Sequence, residues 1–146
     1  MERKNLPLGM VIGRMMHEIF RVLRKRTSET SDVKLTGEQF GLLHVINMKK
    51  ETCVQQDLAN MMGKDKSAIL RLIDSLEEKK LVVRVVDSTD RRKNCLHVTE
   101  LGKEIIQQYI DMEAIIANEL TVGISKTDMD AFYRVIATIR ANAEKL

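Results

Sequence analysis

Three adjacent cations, Arg91, Arg92 and Lys93, lie at the centre of the stretch DSTDRRKNCLHVTELG, which spans residues 87–102. Apolar runs lie on both sides of them, in residues 81–86 and 95–98. Like charges at this spacing repel one another unless an anion is near. Two aspartates precede the run, and either Asp87 or Asp90 can hold an arginine side chain by a charge-assisted hydrogen bond. The run is therefore either a binding point for an anionic partner or a solvated tip.

The other chemically active side chains form no catalytic pattern. His17, His44 and His97 are scattered singly, and the sequence has neither an HExxH motif nor paired CxxC motifs. It also lacks a GxSxG nucleophile motif and a phosphate-binding loop. We therefore expect no catalytic residues, no metal site and no cofactor, and we do not expect an enzyme.

Cys53 and Cys95 are the only cysteines, too few for a disulfide framework. Cys53 lies near an expected helix start, where the pKa of a thiol can fall, and Cys95 lies beside the cationic run. They are either reduced, structurally incidental thiols or the sensors of a redox response.

The chain has 146 residues and a net charge of +3, and its charge is unevenly distributed. Residues 64–103 carry ten Lys and Arg against seven Asp and Glu, whereas residues 104–146 carry four against seven. The excess of positive charge in residues 64–103 permits a nucleic-acid partner. The sequence shows no signal peptide and no apolar stretch near the ~20 residues of a membrane span, so a cytoplasmic location is expected.

Apolar periodicity and capping signals predict the elements that carry these residues. Helices are expected at about 8–27, 36–50, 52–63 and 65–80, with a polar loop between the first two. LTGEQF has the Thr36–Gln39 spacing of a capping box, and Gly63 is an expected helix stop. The alternating runs 81–86 and 95–98 predict two antiparallel strands joined by an eight-residue loop. Further helices are expected to begin after Thr99 and Ser125.

This order of elements predicts a mainly α fold with one small antiparallel β-hairpin, which is a winged helix-turn-helix. In such a module the second helix of the pair enters the DNA major groove, and the hairpin reaches the adjacent backbone or minor groove. The helix at 65–80 is expected to bury a stripe made of Ile69, Leu72, Ile73 and Leu76. Its outer face, which is expected to include Ser75, is basic in its N-terminal half and acidic in its C-terminal half. Its expected DNA-binding residues are Lys64, Lys66, Ser67, Ala68 and Arg71, although the same pattern fits a solvated helix face.

A partner for the cationic run follows from this fold. The hairpin loop is the part of a wing that lies farthest from the core, and a narrow minor groove offers strong negative potential. We therefore expect Asp90, Arg91, Arg92 and Lys93 to contribute to the binding of double-stranded DNA.

Three stretches resemble the MarR regulators, a family of winged helix-turn-helix proteins. They are LTGEQF, QQDLANMMGKDKSAILRLIDSLEEKKLVVR and DRRKNCLHVTELG. The resemblance covers nearly all of the chain, so residues 1–146 are interpreted as a single MarR-like chain. It implies a DNA-binding part at about 36–99, with flanking helices at about 8–27 and 100–146 that form a homodimer. It also implies that Arg92 enters the minor groove with Asp90 as its partner.

The resemblance implies a repressor that binds a palindromic operator and responds to a small amphipathic or phenolic effector. The residues that could line an effector cleft are Met15, Met16, Phe20, Phe40, His44 and Met48, although core packing is the competing role. The peroxide-sensing cysteine that some members carry in the first helix is absent. A winged-helix protein-interaction module and a thiol-based regulator remain the alternatives.

The chain departs from the family pattern at two turns. Met62 stands where Leu is usual, and Lys80 stands where Gly is common. The turn at Lys80 must therefore form without glycine's conformational freedom.

Overall fold

The computed structural model describes residues 6–49, 55–86, 88–89 and 94–146, with the backbone alone for Gln56 and Asn94. The elements of these residues are, in order, α1 (Leu8–Thr30), α2 (Gly37–Met48), α3 (Gln55–Met62), α4 (Lys66–Glu78), β1 (Val82–Val86), β2 (Asn94–Val98), α5 (Glu100–Leu120) and α6 (Lys126–Ala143). The predicted fold class, mainly helical with one hairpin, is confirmed. The chain divides into two compact units, Met1–Glu113 and Ala114–Leu146.

Three predicted helix starts are confirmed by their caps, whereas the start predicted near Thr52 lies outside the described residues. Thr36 and Gln39 form the reciprocal capping box of α2, in which each side chain accepts from the other residue's backbone N–H. Thr99 Oγ1 accepts from the backbone N–H of Gly102 at 3.0 Å at the start of α5. Ser125 caps α6 by accepting from the N–H of Asp128 at 3.1 Å. These local bonds satisfy N–H groups that a helix otherwise leaves unpaired.

Helix α1 is longer than the sequence indicated. The polar stretch from Thr27 was predicted to be a loop, but α1 continues to Thr30. Thr27 is buried, and its hydroxyl donates to the carbonyl of Leu23 at 2.9 Å, while Ser28 donates to the carbonyl of Lys25 at 2.8 Å. Because the hydroxyls bond within the helix, they do not end it.

Helices α3 and α4 end in the same type of turn. Gly63 has φ +60°, and the N–H of Lys64 donates to the carbonyl of Ala59. After α4, Lys80 takes the left-handed position with φ +61°. The N–H of Leu81 then donates to the carbonyl of Leu76 at 2.9 Å. Both turns are Schellman motifs, and a lysine occupies the second one despite the steric cost to its Cβ.

The hairpin is antiparallel, with Val82 opposite Val98 and Val86 opposite Asn94. The second strand begins one residue earlier than predicted, at Asn94, and the first begins one residue later, at Val82. The connection 87–93 is therefore one residue shorter than the predicted eight, because Asn94 completes the ladder opposite Val86.

The core of the first unit gathers side chains from several elements. Its fully buried members include Leu42 and Leu43 of α2, Leu58 of α3, and Ile69, Ile73 and Leu76 of α4, together with Leu81 and Val82 at the start of the hairpin. Leu72 was predicted to belong to the buried stripe of α4, but it is only half-buried. Ile105, Ile106 and Tyr109 of α5 are also buried. This core fixes α3, α4 and the hairpin on one scaffold.

The second unit contains the end of α5 and all of α6. Among its side chains, α6 has no buried residue within the single chain. Phe132 and Val135, for example, are both exposed apolar residues of this helix.

Candidate nucleic-acid interface

Helix α4 follows α3 after a turn of three residues, Gly63 to Asp65. Asp65 is the N-cap of α4, and its carboxylate accepts from the N–H of Ala68 at 2.8 Å. The buried residues Ile69, Ile73 and Leu76 fix one face of α4 on the core. The opposite face of its first turns is therefore presented to solvent, as a helix that enters a groove requires.

The basic end of α4 carries most of the predicted DNA-binding residues. Lys66, Ser67 and Arg71 are exposed, and Ala68 is half-buried. Lys64 lies in the turn before the helix, where its Nζ is 2.6 Å from Glu38 Oε1 of α2. A phosphate contact by Lys64 would therefore compete with this ion pair.

Arg84, which the sequence analysis did not assign to the site, binds the acidic half of α4. Arg84 of β1 donates from Nη2 to Asp74 Oδ1 at 2.6 Å and from Nη1 to Glu77 Oε2. The guanidinium lies across both carboxylates and offsets their charge. It also joins the first strand of the hairpin to α4. The alternating pattern of β1 placed Arg84 in a strand, but nothing local in the sequence indicated its partners.

Two further side chains of α4 differ from the pattern read from the sequence. Ser75 was predicted to lie on the outer face, but it is half-buried and its Oγ accepts from Gln39 Nε2 at 2.7 Å. Leu70, which the sequence pattern did not single out, is 41 % exposed beside Arg71. An exposed apolar side chain at this position can contact a thymine methyl group.

The predicted wing residues Asp90, Arg91, Arg92 and Lys93 lie outside the described residues. Asp87 also lies outside them. The strands that lead to this segment are placed by the core, because Val82 is 1 % exposed and Leu96 is 6 % exposed. The hairpin connection is thus carried by the same unit as α4.

None of the predicted effector-cleft residues lines either of two cavities in the described part of the first unit, one beside Leu35 and one beside Leu96. Phe40 stacks on His44 and on Tyr109, with ring centroids 5.9 and 4.6 Å apart. The ring of Phe20 lies against the backbone of Gly37 at the start of α2. Met15, Met16 and Met48 are exposed. Within the described residues, His44 Nδ1 is a buried side-chain nitrogen without a hydrogen-bond partner.

The alternative chemistries find little support in the described residues. Cys95 is a free thiol and is 7 % exposed, and burial makes a thiol poorly accessible to oxidants. Cys53 lies outside the described part of the chain. No group of His, Cys, Asp and Glu side chains suited to a metal ion occurs among the described residues. None of the described helices is long and apolar enough to cross a membrane.

Comparisons with known proteins agree with this geometry. Residues 33–93 match the model of the MarR family. The chain superimposes on a crystal structure of MarR with a TM-score of 0.82 and 25 % identity, over 99 % of this chain and 95 % of that one. It also resembles S. aureus MepR in a DNA complex, at 17 % identity and a TM-score of 0.77, over 94 % and 99 % of the two chains. The repressor CouR bound to a 23-mer DNA duplex matches at 24 % identity and a TM-score of 0.77, over 92 % of each chain.

The fold and the matched family model define the class of this protein as a winged-helix, DNA-binding transcriptional regulator. Within that class, residues 33–93 match the MarR family, and the chain as a whole is similar in fold to MarR.

Proposed function

We propose that this protein is a repressor that binds a palindromic operator as a homodimer and releases it in response to a small effector. The observation that carries the proposal is the exposed basic N-terminal end of α4. Lys66, Ser67 and Arg71 are all solvent-exposed on a helix whose opposite face is anchored in the core. Arg84 offsets the carboxylates farther along the same helix, which reduces their repulsion of a phosphate backbone.

Each DNA-contacting element has its own task in this proposal. The N-terminal end of α4 reads bases in the major groove, where Arg71 is suited to a bidentate contact with guanine and Ser67 to either a base or a phosphate. The wing cations Arg91, Arg92 and Lys93 bind the adjacent minor groove or backbone, with Asp90 holding Arg92. A regulator of transcription acts where the chromosome is, so we place it in the cytoplasm.

Dimerisation is supported by apolar surface that the single chain leaves uncovered. In the N-terminal half of α1, the residues Leu8, Met10, Val11, Met15 and Met16 are all exposed. In α6, Phe132, Tyr133 and Val135 are exposed, and no residue of that helix is buried. Apolar stripes of this kind on helices are normally covered by a partner. A second copy of the chain with two-fold symmetry would bury both.

The proposal is tested by selecting DNA fragments from a random pool and footprinting the selected sites. A two-fold dimer should select near-palindromes with half-sites about 10–10.5 base pairs apart. Affinity should fall steeply with salt, because bound cations release counterions from the phosphates. Sedimentation should show a dimer at micromolar concentration. Selection of a single asymmetric half-site, or a stable folded monomer, would contradict the proposal.

A further inference from the structure

An apolar side chain lies on the exposed face of α4 among polar ones. Leu70 is 41 % exposed, whereas the apolar residues Ile69 and Ile73 of the same helix are fully buried. Ser67 and Arg71, three residues before Leu70 and one residue after it, are exposed as well. Single exposed leucines are common on protein surfaces, so exposure alone indicates no role. The position of Leu70 does indicate one, because the side chains beside it are those proposed to read bases.

The geometry of an α-helix fixes which residues share this face. Residues three and four apart are neighbours on a helix surface, so Leu70 lies beside Ser67 in the preceding turn and beside Asp74 in the following one. Lys66, four residues before Leu70, is exposed on the same side. A DNA groove that receives Ser67 and Arg71 therefore receives Leu70 with them.

The carboxylate one turn after Leu70 is held by a cation. Asp74 Oδ1 accepts from Arg84 Nη2 at 2.6 Å, and the other terminal nitrogen of that guanidinium donates to Glu77. The guanidinium offsets the negative charge of both carboxylates. A base pair can therefore approach Leu70 without facing an unpaired carboxylate in the next turn.

A leucine side chain can distinguish base pairs although it forms no hydrogen bond. The base edges in the major groove present donors and acceptors, and the 5-methyl group of thymine is the apolar group among them. Contact between Leu70 and that methyl group removes apolar surface from water. Contact with a donor or an acceptor would remove water from a polar group without replacing its hydrogen bond, which is unfavourable. The same side chain thus favours thymine and disfavours the other bases.

We propose that Leu70 makes the methyl group of one thymine in each half-site a determinant of operator recognition. This inference rests on the proposed function, because it requires α4 to lie in the major groove of an operator. It adds a preference that neither a guanine contact by Arg71 nor phosphate contacts by the cations would supply. Loss of one buried methyl contact lowers affinity about fourfold. Loss of the contact in both half-sites should therefore lower affinity about fifteenfold if the two contacts are independent.

The test replaces thymine by uracil in an operator selected from random DNA. Uracil lacks the 5-methyl group but keeps the hydrogen-bonding groups of thymine. Each thymine of a half-site is replaced in turn, together with its symmetry mate, and affinity is measured by fluorescence anisotropy. In the parent protein, one symmetric pair of replacements should lower affinity about fifteenfold, and the other pairs should lower it less.

Three protein variants assign this loss to Leu70. Leu70→Asn keeps nearly the same side-chain size without the apolar end, so it should bind the thymine and uracil operators equally. Leu70→Met stays apolar and should keep most of the preference for thymine. The matched control, Leu101→Asn, makes the same change at a leucine of α5 that is 40 % exposed, and it should keep the full preference. Because the preference is a ratio of two affinities of one variant, it is independent of that variant's overall affinity.

The outcomes separate this inference from the proposed function. A parent protein that binds its palindromic operator but tolerates uracil at every position would overturn the thymine contact alone. A Leu70→Asn protein that keeps the preference for thymine would also overturn it, because the effect of uracil would then come from another residue or from the shape of the DNA. A parent protein that selects no DNA sequence would overturn the proposed function and the thymine contact together.

Discussion

Arg84 Nη2 lies 2.6 Å from Asp74 Oδ1, so the first strand of the hairpin is joined directly to the helix proposed to enter the major groove. The second nitrogen of the same guanidinium bonds to Glu77. Arg84 and Glu77 are each about 30 % exposed at the side chain, whereas Asp74 is 57 % exposed. The bridge therefore does two things: it sets the hairpin relative to α4, and it offsets two negative charges on a surface proposed to face phosphates.

Replacing Arg84 by methionine should weaken DNA binding more than it weakens folding. Partly exposed ion pairs stabilise a fold by about 0–1 kcal/mol each, so the free energy of unfolding should fall by about 1 kcal/mol. Operator affinity should fall at least about fivefold, because Asp74 and Glu77 would then repel the phosphates. Urea denaturation and fluorescence anisotropy measure the two quantities.

The matched control is Arg21→Met, which removes an exposed ion pair with Glu18 in α1. It should change neither quantity appreciably. The triple variant Arg84→Met/Asp74→Asn/Glu77→Gln removes the repelling charges as well, and it should recover most of the affinity. If Arg84→Met binds the operator like the parent, the bridge has no role in DNA binding.

Replacing Lys80 by glycine should stabilise the protein. Lys80 has φ +61°, a conformation that costs an L-residue roughly 1–2 kcal/mol. Glycine removes that cost but gains entropy in the unfolded chain, which offsets roughly 0.5–1 kcal/mol. The net gain should be up to about 1 kcal/mol in urea denaturation. The control is Lys103→Gly inside α5, which should lower the free energy of unfolding by about 1 kcal/mol. If Lys80→Gly lowers it by a similar amount, the turn at Lys80 is not strained.

Two glycines in helices should respond oppositely to alanine. A Cβ at Gly102 would collide with the carbonyl of Leu81 and with Val98 Cγ1, so Gly102→Ala should cost about 1–3 kcal/mol. At Gly41 the nearest atom to a new Cβ is Met62 Cε at 3.7 Å, an ordinary contact. Gly41→Ala should therefore gain up to about 1 kcal/mol from helix propensity. Thermal or urea unfolding of both variants checks the pair, and equal effects would contradict the close approach at Gly102.

The features that the sequence predicted correctly depend on neighbouring residues. The capping box of Thr36 and Gln39, the caps at Thr99 and Ser125 and the stop at Gly63 all arise from bonds within a few residues. The unfavourable turn at Lys80 was also anticipated, because a missing glycine is visible in the sequence. Local chemistry of this kind can be read without knowing the tertiary structure.

The features that the sequence missed depend on residues far apart in the chain. Gln39 and Ser75 are 36 positions apart, Lys79 and Lys34 are 45 apart, and Tyr109 and Leu35 are 74 apart. No periodicity indicates such partners. The bridge from Arg84 likewise joins two different elements, β1 and α4. The effector-cleft residues stay a prediction. The DNA-binding roles of α4 and of the wing cations stay predictions.

Arg92→Ala and Arg71→Ala should separate the two DNA-contacting elements. A wing cation in the minor groove senses groove width and phosphate density, so Arg92→Ala should weaken binding to many sequences by a similar factor, most at A·T-flanked sites. Arg71→Ala should cost about 1–3 kcal/mol and relax the preference at one base pair if the side chain is bidentate to guanine. If Arg71 instead binds a phosphate, its loss should lower affinity uniformly and reduce the salt slope by about one unit.

The measurement for this pair is a titration of each variant against single-base operator mutants at two salt concentrations. Arg71 is exposed, so Arg71→Ala should keep the parent's melting temperature and dimerisation. Lys145→Ala, which removes an exposed cation beyond the end of α6, serves as the control for the loss of one positive charge. Because long-range attraction acts on every cation, the control should lose a small, uniform part of the affinity. If Arg92→Ala loses no more than this control on any operator, the three adjacent cations form a solvated turn and the wing does not bind DNA.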